Sequence, residues 1–321
     1  MVMLTPVHEL DDLDRRIVAA LQVNGRASWR RIADVLGEPF RTVTRRGIAL
    51  LESGAVRIAG LVSLAATHLV EVHCEPSRLV AIAETLAEGP DVTFLYALTG
   101  PTRILLEVQE SPGRLSDLVL EELPGIEGVT QVDASPVLEY YRTVADWHPG
   151  PITAAEVEAL QETVPPVTRR PATGLLDDID QTLVRLLVED GRVPTSELGE
   201  AVALSAPAVR RRLASLLEEG MLSVRAIVEP VDIGLPVEAV IWIRTAPTAV
   251  AEVGRLVSAE PGVRYAAMTM GEFQLMVNVT LAGLDDLRRF ITASEWASQA
   301  LAMRTSMVVG SYKRGGVRAA R

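Results

Sequence analysis

The chain has a single lysine, at position 313, so nearly all of its 31 cationic side chains are arginine. It also has one cysteine, Cys74, which excludes an intrachain disulfide and any CxxC metal site. Its four histidines are His8, His68, His73 and His148. Side chains alternate along a strand, so His68 and His73 fall on opposite faces of one β-like run and cannot converge with Cys74 on a metal. No metal or other cofactor is expected. No apolar run approaches the ~20 residues of a membrane span, and the opening MVMLTPVHELDD lacks a signal-peptide pattern. The expectation is a soluble cytoplasmic protein with no membrane partner. Nucleophile-elbow GxSxG, P-loop and HExxH patterns are also missing, which removes the motif-bearing hydrolase, nucleotide and zinc chemistries.

What is present is a repeat. LDDLDRRIVAALQVNGR (10–26) returns as LDDIDQTLVRLLVEDGR (176–192), an offset of 166 that runs on without a gap to residues 56 and 222. Fifteen of 47 positions are identical, against roughly two or three by chance. A looser match follows at an offset of 171, DVTFLYALTG (91–100) over GVRYAAMTMG (262–271). A unit of about 150 residues therefore occurs twice. Between the copies, TAAEVEALQET reads as a short helix and PPVTRRPATG as a linker, because its prolines block regular structure.

The front of each unit reads as three helices. Leu10, Leu13, Ile17 and Leu21 recur at helical spacing, as do Ile179, Leu183, Leu186 and Leu187. Asp11 and Asp12, with Asp177 and Asp178, sit where a helix N-terminus favours carboxylates. Gly25 and Gly191 are expected to end these helices in the left-handed conformation. Second helices place Ile32, Ala33 and Leu36, or Leu198, Gly199 and Val202, inward. Third helices run from about 39 to 52 and from 205 to 219. Each is followed by a short β-like stretch, VRIAGLVSL or LSVRAIVEP, which suggests a winged helix-turn-helix.

The row Arg210-Arg211-Arg212 lies on the second of these third helices. With Val209, Leu213 and Leu216 inward, Arg211 points outward, Arg210 to one flank and Arg212 to the core edge. In the first copy Val43 and Leu50 are inward, Arg41 and Arg45 outward, and Arg46 at the core edge. Arg46 and Arg212 are read as structural, paired with carboxylates such as Asp14 and Asp180. Arg45 and Arg211 have no packing role, and guanidinium suits phosphates and guanine edges. The net charge of −11 does not oppose this, because residues 10–60 carry +3 and residues 61–150 carry −10. Residues 176–229 sum to −4, so non-specific affinity should be modest and salt-sensitive.

The back of each unit reads βαββαβ. Such an order folds as a ferredoxin-like sandwich, an antiparallel sheet with both helices on one face. The bare face is most simply covered by another copy. Val70, Val72, Leu106 and Val108 against Ile241, Ile243, Val277 and Val279 are the positions expected to meet there.

A front of the form LDxxDxxLLxxLxxDGR, then LSxxxVxxRLxxLxxxGxL, joined to βαββαβ, resembles the Lrp/AsnC family of bacterial transcription regulators, here in tandem. The second copy matches at Leu204, Ser205, Val209, Arg212, Leu213, Leu216, Gly220 and Leu222. The first departs at Glu38-Pro39 and at Gly47, where the family has a bulky apolar residue, and a packing gap is expected there. The resemblance implies an α+β chain of five segments. These are a winged helix-turn-helix (1–60), a ferredoxin-like ligand-binding and dimerisation domain (61–150), a linker (151–175), a second winged helix-turn-helix (176–229) and a second sandwich (230–321). It implies double-stranded DNA, a small effector such as an amino acid, and a homodimer or higher oligomer as partners. Candidate DNA contacts are Arg41, Thr42, Thr44, Arg45, Ser205, Ala208, Arg210 and Arg211. The family's effector loop falls at Thr99-Gly100 and at Met270-Gly271-Glu272-Phe273, with a plain β-turn as the alternative at both. Siroheme decarboxylase subunits resemble the same architecture, and their chemistry is expected to use histidines in the wing and sandwich. No histidine lies in either wing here, so the reading is a regulator and no enzyme. A third reading is an effector-binding protein whose helix-turn-helix units have become dimerisation elements.

Overall fold

The computed structural model describes residues 10–62, 66–100, 103–111, 113–162, 164 and 176–318; His8, Pro101, Thr102 and linker residues 165–175 lie outside them. The first repeat runs α1 (Asp12–Val23), α2 (Trp29–Leu36), α3 (Phe40–Glu52), β1 (Arg57–Val62), β2 (Thr67–Cys74), α4 (Leu79–Leu86), β3 (Val92–Leu98) and β4 (Arg103–Gln109). Then come α5 (Arg114–Asp117), a π-helical turn, α6 (Leu123–Gly125) and the long β5 (Val129–Arg142). After α7 (Ala154–Gln161), the second repeat runs α8 (Asp178–Glu189), α9 (Thr195–Ala201), α10 (Ala206–Glu218), β6 (Leu222–Ile227) and β7 (Val237–Arg244). It ends with α11 (Val250–Ala259), β8 (Val263–Thr269), β9 (Leu275–Leu281), α12 (Leu284–Ala293), β10 (Ala302–Arg314) and the short β11 (Val317–Arg318). These elements gather into two compact units that cut across chain order: α1–β1 with α7–β6, and β2–β5 with β7–β11.

In the helical unit, each three-helix set closes its own core. Ile17, Leu21, Ile32, Leu36, Val43 and Leu50 are buried in one, and Leu183, Leu187, Leu198, Val209, Leu213 and Leu216 in the other. A lone strand cannot satisfy its own backbone. The β extension of each set therefore pairs with that of the other, β1 antiparallel to β6. Ala59 lies opposite Arg225, its own counterpart at the 166-residue offset, so a local two-fold passes through this pair. Each strand also packs across: Ala226 joins the first core and Val62 flanks the second.

Gly25 and Gly191 differ from expectation. The helices end at Asn24 and Asp190 in extended conformation, and neither glycine adopts a positive φ. They are glycine because the opposite copy's strand passes so close. A Cβ on Gly25 would stand 2.8 Å from Arg225 Cα, and one on Gly191 would stand 2.8 Å from Ile58 Cγ2 and 3.0 Å from Ala59 N. Their N–H groups donate to Val224 O at 3.0 Å and Ile58 O at 2.9 Å.

In the second unit, both βαββαβ modules fold as read, and the two sheets join within one chain. The long strands do the joining. β5 pairs with β2 through residue 136 and with β8 from residue 137. β10 pairs with β7 through residue 307 and with β3 from residue 308. The sheet order therefore returns on itself, β10-β3-β4-β2-β5-β8-β9-β7-β10, and closure leaves few free edges.

The faces are the reverse of those expected. Val70, Val72, Leu106 and Val108 pack under α4 and the helix at 114–125, and Ile241, Ile243, Val277 and Val279 pack under α11 and α12. The layer between the sheets is instead Leu69, Phe94, Tyr96, Leu98 and Leu105 with Val240, Trp242, Tyr265, Ala267 and Met276. Both faces of these strands are buried, so alternation of polarity could not tell them apart.

Candidate nucleic-acid interface and effector loops

The third helix of each three-helix set is held to the first by one device. Asp11 N-caps α1, accepting from Asp14 N at 2.9 Å, and it also accepts from Arg46 Nη1, which reaches Asp14 Oδ1 at 2.9 Å. Asp177 caps α8 from Asp180 N at 2.8 Å, and Arg212 Nη1 reaches Asp177 and Asp180 at 2.8 Å each. The helix-end N–H groups, then the arginines, hold Asp11 and Asp177 below the usual carboxylate range. Hydrogen bonds to Asp11 and Asp14 hold Arg46 above its ordinary value, and those to Asp180 and Asp177 do so for Arg212.

One residue earlier the situation reverses. Arg45 and Arg211 are exposed, as are Arg41 and Arg210, and none of the four has an ion-pair or hydrogen-bond partner among the described residues. Each set thus has one arginine locked to carboxylates and a neighbour left to solvent. Ser205 is the exposed N-cap residue of α10 and makes no side-chain cap bond. Thr42 and Ala208 are half-buried on the flank of their helices. Thr44 Oγ1 is enclosed and has no hydrogen-bond partner among the described residues, so this hydroxyl is not presented to the outside.

The expected gap at Gly47 is filled. The Trp29 indole occupies the site, and a Cβ on Gly47 would lie 2.2 Å from its ring. The second copy has Thr195 and Leu213 at these two positions, so bulk has moved from α3 to α2 with the same space filled. Arg192 stacks on the indole, its guanidinium carbon 4.3 Å from the ring centre. Glu38, the other departure, binds Arg16 Nη1 at 3.0 Å, and Arg16 Nη2 binds Glu156 of α7 at 2.9 Å. Comparing the repeats position by position would have exposed the Trp29/Gly47 exchange. Phe40, exposed at the start of α3 with Arg30 over its ring, also escaped notice.

The two loops after β3 and β8 hold Gly100 at φ +103° and Gly271 at φ +106°, matching turns that favour glycine. Thr99 is tied to β10 by Thr99 N to Met307 O at 2.9 Å and Met307 N to Thr99 Oγ1 at 2.8 Å. In the second loop Met270 is exposed, and Gln274 Nε2 donates to Gly271 O at 3.0 Å and Glu272 O at 3.2 Å, bracing the turn. Glu272 lies 3.6 Å from Arg244 and is otherwise open to solvent. Phe273 is half-buried against Arg304, whose guanidinium sits 5.2 Å from both the Phe273 and Trp242 rings and is gripped by Glu71 at 2.7 and 2.8 Å. Among the described residues no group of three or more metal-ligating side chains comes together, and no helix is long and apolar enough to cross a membrane.

Paired helix-turn-helix units in one compact body and a doubled effector-type sandwich in the other define the class of DNA-binding transcription regulators. The chain belongs to the Lrp/AsnC family: the AsnC-type helix-turn-helix domain matches residues 10–49 and 176–217, and the Lrp/AsnC ligand binding domain matches 67–144 and 238–317. It is 35% identical over 133 residues to an uncharacterized HTH-type transcriptional regulator of Pyrococcus furiosus, covering 39% of this chain and 90% of that protein. A Pyrococcus abyssi regulator of the same description is 29% identical over 142 residues, covering 44% of this chain and 90% of that protein. Among solved structures, the siroheme decarboxylase NirDL bound to an iron-uroporphyrin III analogue covers 96% of this chain and 93% of its own, with TM-score 0.59 and 16% identity. That likeness is one of fold.

Proposed function

We propose that this chain is a sequence-specific, double-stranded DNA-binding regulator controlled by a small polar effector, acting in the cytoplasm as a homodimer or higher oligomer. The observation that carries the reading is the contrast between neighbours. Arg46 and Arg212 are fixed by two carboxylates each, whereas Arg45 and Arg211 on the outer face of α3 and α10 have no partner among the described residues. A side chain that contributes nothing to packing yet recurs at both copies fits a role toward an anionic partner, and guanidinium matches both phosphate and guanine. Arg41 and Arg210 add charge on the same helices, with Thr42, Ser205 and Ala208 beside them.

The effector reading rests on the loop at Met270–Phe273. Glu272 offers a carboxylate to an ammonium group, and Gly271 opens its backbone toward solvent. Phe273 on Arg304 connects this loop to the layer between the sheets. The loop at Thr99-Gly100 has no matching acid among the described residues. The decarboxylase reading draws on shared fold alone. In this chain His68 Nδ1 is paired with Glu110 at 2.9 Å and His73 lies by Asp133, on opposite faces of β2. The test is retention of random-sequence duplexes by the full chain. An Arg45→Ala/Arg211→Ala double variant that binds as tightly as the parent chain would remove the proposed surface.

A further inference from the structure

We infer that Phe40 is a specificity-determining residue that contacts a thymine methyl group in the major groove, so that the chain reads a DNA site with two unlike halves in one fixed orientation. The inference rests on the DNA-binding reading and adds to it what the two helices recognise.

The local two-fold at the Ala59–Arg225 pair relates the two helix-turn-helix sets within one compact unit. In a symmetric pair, equivalent positions would carry the same residue. Here they do so at Arg45/Arg211 and Arg46/Arg212, but not at the leading end of the helix. The 166-residue offset sets Phe40 over Ala206, Arg41 over Pro207, Thr44 over Arg210, and Arg30 over Ser196. The first set therefore presents an aromatic ring flanked by arginines, and the second presents small residues ahead of an arginine pair.

Phe40 is not a core residue displaced outward. It is the first residue of α3, 41% exposed, while the core beneath is closed by Val43 and Leu50. Arg30 lies over its ring at 4.7 Å, which holds the ring in place and leaves guanidinium N–H groups for a phosphate. The leading residues of a recognition helix are those that meet base edges, and the thymine methyl is the apolar feature of the major groove. The scaffold under this surface is sound, because Trp29 fills the space at Gly47.

The experiment is selection of bound duplexes from a random library by the full chain, followed by replacement of each thymine in the selected site with uracil, which removes only the methyl. The unit read by the two helix-turn-helix sets of one chain is expected to be non-palindromic, and a second chain of a homodimer would repeat that unit inverted. One or two thymines in one half should lose about fourfold in affinity on methyl removal, the worth of one buried methyl group. That penalty should vanish in Phe40→Ala and persist in Phe40→Leu, with melting temperatures matching the parent chain. Identical half-sites within the unit read by one chain overturn the inference, as does a uracil penalty that survives in Phe40→Ala, while DNA binding itself stands. Failure to retain any duplex overturns the DNA-binding reading and this inference with it.

Discussion

Arg26 and Arg192, 166 residues apart, each reach into the other's loop. Arg26 donates to Gly191 O at 2.7 Å and Val193 O at 3.0 Å, and Arg192 donates to Gly25 O at 2.9 Å and Ala27 O at 2.7 Å. Burial holds both guanidinium groups below their ordinary values; for Arg192 the nearby Arg26 charge adds to this. The exchange locks the two helix-turn-helix sets into one body. A homodimer would make such contacts between chains, at a cost that depends on concentration; here they are intramolecular.

Removing either arginine should therefore loosen the pairing of the two sets. Arg26→Ala leaves two part-buried carbonyls without charge-assisted partners, and a loss of about 2–4 kcal/mol is expected in denaturant unfolding. Arg26→Lys should recover only part, since an ammonium cannot span both carbonyls as a planar fork does. Full recovery by lysine would show that charge alone matters.

The two arginines of each third helix should separate function from stability. Arg211→Ala should weaken DNA binding by about 1–3 kcal/mol with the melting temperature unchanged. Arg212→Ala should lower the melting temperature because it releases Asp177 and Asp180. Arg45 and Arg46 should repeat this division. Paired gel-shift and thermal-melt measurements check it, and equal effects of Arg211→Ala and Arg212→Ala on both would contradict the assignment.

Trp29 and Gly47 should behave as a coupled pair. Gly47→Leu alone drives a side chain into the indole, and a loss of about 1–3 kcal/mol is expected. Trp29→Thr/Gly47→Leu, which copies Thr195 and Leu213, should regain most of it. A double variant no more stable than Gly47→Leu would mean the two positions do not share one space.

The pH dependence of stability should carry the signature of Glu107. This carboxyl is enclosed between the sheets, where Tyr265 and Tyr140 hydroxyls donate to it at 2.7 and 2.9 Å. Burial raises its pKa above the ordinary 4.5 even against those hydrogen bonds. A carboxyl whose folded value is raised favours the fold fully below its unfolded pKa, and that contribution is lost as pH climbs through the folded value. Glu107→Gln keeps an acceptor for both tyrosines and has no charge to bury. Its stability relative to the parent chain should therefore increase from pH 4.5 toward alkaline pH in thermal melts. A difference that stays flat with pH would mean Glu107 titrates normally.

The effector loop gives a ligand-binding prediction. Calorimetry across the common amino acids should find a binder whose affinity falls several-fold in Glu272→Ala, because the carboxylate that faces its ammonium is gone. If no amino acid binds, or the binder is indifferent to that change, the Met270–Phe273 loop is a plain turn.

Much of this molecule was written in local periodicity. The 166-residue repeat, the helices around Ile17 and Leu213, the βαββαβ order and the outward position of Arg45 and Arg211 all follow from which side of an element is apolar. The pairing of Arg46 and Arg212 with Asp14 and Asp180 was legible too, since core-edge arginines near a helix start have few other partners. Periodicity states that a face is buried but not what buries it. Leu69 and Val70 are both fully enclosed, so nothing along β2 could say which of them meets the helices and which the second sheet. Gly25 and Gly191 looked like helix stops because the strand that crowds each of them is some 130–200 residues away in the chain. Gly47 looked like a defect because Trp29, on another helix, supplies its missing volume. Only tertiary contact decides such matters, because close packing is a property of the two surfaces that meet and neither segment carries it alone.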